Sequence, residues 1–202
     1  GTGTLGDMGC HILDPVFSAL GLSAPVSVRS EGPAPNDWNW AINEKVHYHF
    51  AGTPWTAGNR VTVTWYDGRQ QPPAEVMELI EHEPLTETGS IFIGTEGVMR
   101  LPHYSRPVLY PSAKFEDFLP PQIRDINHYE QFVQACRGEG VTTTGFDYSG
   151  PLTETILLGC LATRFPQTLL QWDSRRLKFD LHEANQFVRG EYRKGWKVKG
   201  LS

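Results

Sequence analysis

The 202-residue chain is short of several things. It has three cysteines, Cys10, Cys136 and Cys160, odd in number and widely separated. That argues against a disulfide frame or a zinc site and suits buried free thiols. No apolar run approaches the roughly 20 residues that span a bilayer, so no membrane span is expected. An excess of basic residues is missing as well. The net charge of −5 argues against non-specific nucleic-acid binding. Charged residues make up 20% and hydrophobic ones 39%, a balance that excludes a disordered chain. There are no internal repeats, low-complexity tracts or linkers, and the length suits one domain over residues 1–202. With no initiating Met and no signal peptide, the expectation is a fragment or processed product whose export signal would have been lost.

What is there starts at the first residues, Gly1-Thr-Gly-Thr-Leu-Gly-Asp-Met-Gly-Cys-His-Ile-Leu-Asp14. Asp7 and His11 are four residues apart, which on a helix puts both on one face, one turn from each other. A carboxylate beside an imidazole fixes which ring nitrogen carries the proton, and such a pair can exchange a proton with a substrate hydroxyl. Asp14, three residues past His11, falls near the same face. A first-turn acid and one satisfied histidine would be the plainer account. Gly6 and Gly9 favour the functional one, because they remove side chains where something must come close. Gly1-Thr-Gly-Thr-Leu-Gly6 is also literally G-x-G-x-x-G, but a dinucleotide fingerprint needs a strand before it, none is seen ahead of Gly1 in this sequence, and no dinucleotide site is expected here.

Along the chain, residues 5–20 read as a helix. Pro15 should kink it, or start it afresh with Asp14 capping, and Gly21 should end it. Residues 25–30 read as a short strand and 31–41 as a loop. Trp38 and Trp40 on that loop suit either packing or a sugar-binding rim. Residues 44–51 and 60–66 alternate as half-buried strands, with Val46, Tyr48 and Phe50 facing one way and His47 and His49 the other. The two histidines lack a nearby third metal ligand and read as solvated sheet-face residues. Asp67-Gly68 signals a turn. Residues 69–88 form a polar excursion with one helical turn, and 90–93 and 98–101 a hairpin across Gly94 to Gly97. A short strand is expected at 108–110. Amphipathic spacing predicts a helix over 122–137. A third helix is expected over 152–165, capped by Asp147 with Pro151 in its first turn. Short strands at 169–172 and 177–179 and a helix over 183–188 complete the chain. Strands cluster in the middle and helices at the ends. That predicts an α+β fold, with a mostly antiparallel open sheet and helices packed on one face.

Gly1, Gly3, Asp7, Gly9, His11 and Asp14 together resemble the signature of the Gfo/Idh/MocA oxidoreductases. The resemblance covers nearly the whole chain, through Asn127-His128-Tyr129, Tyr148-Ser-Gly-Pro-Leu-Thr-Glu154, Trp172-Asp173 and Ala184-Asn185, phrases similar to a branch common in bacteria that process carbohydrates. It implies the C-terminal, substrate-binding domain of that family, with Asp7 and His11 as catalytic residues. NAD or NADP would be bound mainly by an N-terminal domain absent from this chain. The family's lysine, usually in Glu-Lys-Pro, has no counterpart, since Glu44-Lys45 is followed by Val46. On this reading the substrate is a sugar or polyol, contacted by Asp14, Trp38 and Trp40, and the sheet face mediates self-association. The fragment alone would be inactive. Cytoplasm and periplasm both stay open. Two alternatives accompany it: an NAD-dependent glycoside hydrolase of the same family, and a non-enzymatic assembly or carbohydrate-binding module.

Overall fold

A computed structural model describes residues 2–123 and 125–199. Gly1, the first glycine of the opening motif, lies outside the described residues. In chain order the elements are α1 (Gly3–Ile12), α2 (Asp14–Leu20), β1 (Ser27–Ser30), β2 (Lys45–Ala51), β3 (Arg60–Tyr66), α3 (Ala74–Leu79), β4 (Gly89–Ile93), β5 (Val98–Pro102), β6 (Val108–Tyr110), α4 (His128–Cys136), α5 (Phe146–Ala162), β7 (Leu170–Asp173) and β8 (Lys178–Phe179). The class is α+β, as the segregation of strands and helices predicts. The strands form two antiparallel sheets, ordered β3-β2-β1-β7-β8 and β4-β5-β6. Residue contacts divide the chain into two compact units, one up to Pro72 and from Glu154 on, the other Pro73–Thr153.

In the first unit the break between α1 and α2 follows from Pro15. It has no N–H to give to His11, so α1 closes with the Leu13 N–H donating to Gly9 O at 2.9 Å, and α2 begins with Pro15 in its first turn. The helix therefore restarts. Leu13 takes the capping position and Asp14 is the first residue of the new helix. Gly21 ends α2 at φ 58°, and the Leu22 N–H reaches back to Phe17 O, as a Schellman cap requires.

The period-2 pattern of β2 is realised. Val46, Tyr48 and Phe50 are buried, while His47 and His49 face outward. Helices cover the buried face. Phe17 of α2 meets Phe50 edge-on at 6.0 Å, and a Cβ on Gly9 would lie 3.0 Å from Ile156 of α5. Leu5 and Phe17 are fully or almost fully buried, and each such side chain contributes about 1.5–3 kcal/mol.

The second unit has its own core of Ile80, Val98 and Tyr110, with Met77, Leu85 and Ile91 packed on it. The expected hairpin is β4–β5, with Gly94 N–H donating to Gly97 O at 2.9 Å. Several boundaries differ from expectation. The helix read over 122–137 begins only at His128, because the Asn127 side chain accepts from the N–H groups of Tyr129 and Glu130 and fixes the start there. Its periodic residues Tyr129, Phe132 and Val133 are exposed, and α4 buries no residue. Helix α5 starts at Phe146, so Asp147 is helical and Pro151 lies inside the helix instead of in its first turn. The helix read at 183–188 is a 3-10 segment, His182–Phe187. All three thiols are free, but Cys10 and Cys136 are exposed, which corrects the expectation that they are buried. Among the described residues no helix is long and apolar enough to cross a membrane.

Candidate functional site

Helix α1 buries Leu5, Gly9 and Ile12. At about 100° per residue, Asp7 and His11 fall on the opposite side, and both are exposed. The pair is thus presented outward from a helix whose other side is anchored in the core. Asp14 is partly buried at the start of α2.

The glycines of the opening motif have separate packing reasons. Gly3, at φ 71°, lies against the indole of Trp40, where a Cβ would come within 2.7 Å of Cδ1. At Gly6 a Cβ would overlap the Thr2 side chain and sit 3.6 Å from Cys160 Sγ. Gly9 admits Ile156. Trp40 is half exposed (48%), so one side of its ring covers the start of the helix that carries Asp7, one turn away. Trp38 is 94% exposed. Its loop is held by Asn36 and Asn39. Each accepts a backbone N–H of the other through its side-chain oxygen, and the Trp38 N–H also donates to Asn36 Oδ1 at 2.9 Å. The structure therefore brings Trp40, but not Trp38, onto the helix of Asp7 and His11.

His47 and His49 form a cross-strand ladder with threonines, His47 Nδ1 to Thr64 Oγ1 at 3.1 Å and His49 Nδ1 to Thr62 Oγ1 at 3.0 Å. His47 Nε2 is 3.4 Å from Glu31, which also pairs with Lys45 at 2.8 Å. The Lys45 hydrogen bond, followed by His47, holds the Glu31 carboxyl below the ordinary carboxylate range. Burial, reinforced by the neighbouring His47 and Arg60 charges, lowers the pKa of His49. Among the described residues no group of three or more His, Cys, Asp and Glu side chains is placed to hold a metal ion.

One group escaped sequence reasoning. Glu44, read only as the start of a strand, is buried at the inner end of β2. Burial, then the Asp67 carboxylate, pushes its acid up to about 8. The signal was available: two residues before Val46, the period-2 stripe of inward positions continues onto Glu44. Cys160 is raised to about 12 by burial and then by Glu44. Tyr48 is raised well above its ordinary value by burial, then by Cys160 and Glu44.

No protein-family model matches this chain, and a search of curated proteins finds no match.

Proposed function

We propose that the chain is the substrate-binding and proton-transferring half of an NAD(P)-dependent oxidoreductase acting on a sugar or polyol. The observation that carries this reading is the exposure of Asp7 and His11 together on the outer face of α1, with the Trp40 indole seated at the start of the same helix. In this role His11 exchanges a proton with a substrate hydroxyl or carbonyl oxygen, while Asp7 orients the imidazole and balances its charge. Trp40 offers an apolar ring face to a pyranose, and Trp38, two residues earlier on the same loop, offers another.

The described residues do not fit a dinucleotide. Every strand pair among them is antiparallel, whereas that cofactor's cradle is a parallel strand–turn–helix unit. The nucleotide belongs to a separate domain on this reading. The outward face of the larger sheet, with Thr62, Thr64, His47 and His49, is polar and suits a wet contact between two copies. Light scattering should find at least a dimer, and monomer at high concentration would count against that part.

The test has two stages. Calorimetric titration of this chain with NAD should show no binding, and micromolar affinity would overturn the division of labour. In the complete protein, His11→Ala should lower turnover by about 10²- to 10⁴-fold with cofactor affinity unchanged. Melting temperature is measured on the same preparations. Wild-type turnover in folded His11→Ala protein would end the assignment.

A further inference from the structure

The inward stripe of β2 runs Phe50, Tyr48, Val46 and, just before the strand begins, Glu44. Glu44 is 1% exposed, and its Oε2 meets no hydrogen-bond donor among the described residues. Its main chain is fastened on both sides. Glu44 N–H donates to Asp67 Oδ1 at 2.7 Å, Asp67 N–H donates to Glu44 O at 3.0 Å, and Arg69 N–H donates to Asn43 Oδ1 at 2.8 Å. The carboxyl is therefore held almost wholly out of water by a fastened junction, and freeing Oε2 requires that junction to open. The ionisable groups around it are Tyr48 from β2, Cys160 from α5 and Asp67 after β3, none of them a cation. Lys45 points to the other face and pairs with Glu31.

Both ends of the 40–44 segment bear on the start of α1. Trp40 covers Gly3 directly. At the other end, the Glu44 carboxyl acts on Cys160, whose Sγ donates to Thr2 O at 3.6 Å and lies under Gly6. The Tyr48 hydroxyl fills the notch at Gly159, one residue before Cys160.

We propose that Glu44 is a positioning residue for the start of α1: uncharged, it lets the 40–44 segment and Cys160 close beneath residues 3–6, and ionised, it releases them. An unpaired carboxylate among apolar side chains, with Asp67 as its charged neighbour, is strongly disfavoured. Opening of the segment relieves it by admitting water. That opening lifts Trp40 from Gly3 and loosens the turn leading to Asp7. The placement of α1 rests on packing; only its consequence for proton transfer rests on the reading of Asp7 and His11 above.

The experiment is NMR on this chain from pH 6 to 9.5, following the Glu44 carboxyl carbon and the backbone amides. The carboxyl should titrate roughly two or more units above the ordinary value of about 4.3. The amides of Gly3, Thr4, Gly6 and Trp40 should shift with the same midpoint, and Glu44→Gln should abolish that shift. A carboxyl midpoint near the ordinary value would overturn the proposal. So would silence of the α1 amides, or a shift that persists in Glu44→Gln. If Glu44→Gln does not fold, the wild-type carboxyl and amide midpoints decide alone. None of these readouts needs turnover, so a failed His11 assignment leaves them intact.

Discussion

Gly159→Ala tests the packing that seats α1 and α5 on the sheet. A Cβ at Gly159 would lie 1.7 Å from the Tyr48 hydroxyl oxygen, 2.7 Å from its Cζ and 2.9 Å from Leu5 Cδ2. None of these neighbours can retreat easily. Tyr48 and Leu5 are fully buried, and Tyr48 stacks on Phe50 with ring centroids 6.3 Å apart. Overpacking a rigid core costs about 1–3 kcal/mol, and an overlap this deep belongs at the upper end. Alanine returns up to about 1 kcal/mol through its helix propensity. The expected net loss is about 2 kcal/mol, or a melting temperature lower by roughly 4–8 °C for a chain of this size. Urea denaturation, with midpoint and slope both fitted, measures it. Tyr48→Phe removes the closest contact and leaves the one at 2.7 Å. In the Gly159→Ala background it should recover about 1 kcal/mol, a coupling that two independent sites would not show. A Gly159→Ala protein as stable as wild type would refute the packing argument.

Glu44 and Glu31 give opposite pH dependences in adjoining windows. The folded Glu44 acid sits at about 8 against 4.5 unfolded, so the native state holds the extra proton. Stability should fall by up to about 1.4 kcal/mol per pH unit as pH rises between those values, and Glu44→Gln should remove that slope. Glu31 is depressed below 4.5, so its contribution is present above 4.5 and lost as pH falls through the folded value. Urea midpoints from pH 6 to 3 should therefore fall less steeply for Glu31→Gln. Asn127→Ala removes the acceptor for two N–H groups at the start of α4 and should cost that helix about 1 kcal/mol, read as faster amide exchange at Tyr129 and Glu130.

The elements legible in the sequence are those whose pattern and environment agree. β2 and β3 alternate because one face is covered by helices and the other is wet, so the period appears directly in the residue types. The restart at Pro15 and the stop at Gly21 follow from backbone chemistry alone. Periodicity misled where a local bond overrode it. Ile123 and Ile126 keep the spacing of α4, yet the Asn127 cap starts the helix after them. Pro151 reads as a first-turn residue, but the helix runs a further turn upstream. Division of the strands between two sheets was not legible either, because hairpin signals specify neighbours and not which sheet they join. In the site, the Asp7–His11 spacing was readable, and the seating of Trp40 on Gly3 was not, since it depends on a loop returning about 37 residues later. Glu44 was missed because an acid at a strand boundary ordinarily faces water.

The place of β1 in the larger sheet has a consequence for synthesis. It pairs on one side with β2, close by in the chain, and on the other with β7, where Val28 meets Leu170 about 140 residues later. At about 5–20 residues per second, a ribosome takes roughly 7 to 30 s between exposing the one and delivering the other. Throughout that interval β1 is an open edge, and the floor on which α1 and α2 rest lacks both its far strands and α5. The nascent chain is then most open to pairing with its neighbours on a polysome. Slowing elongation between residues 30 and 170 should lower the soluble yield of this protein without altering its finished stability.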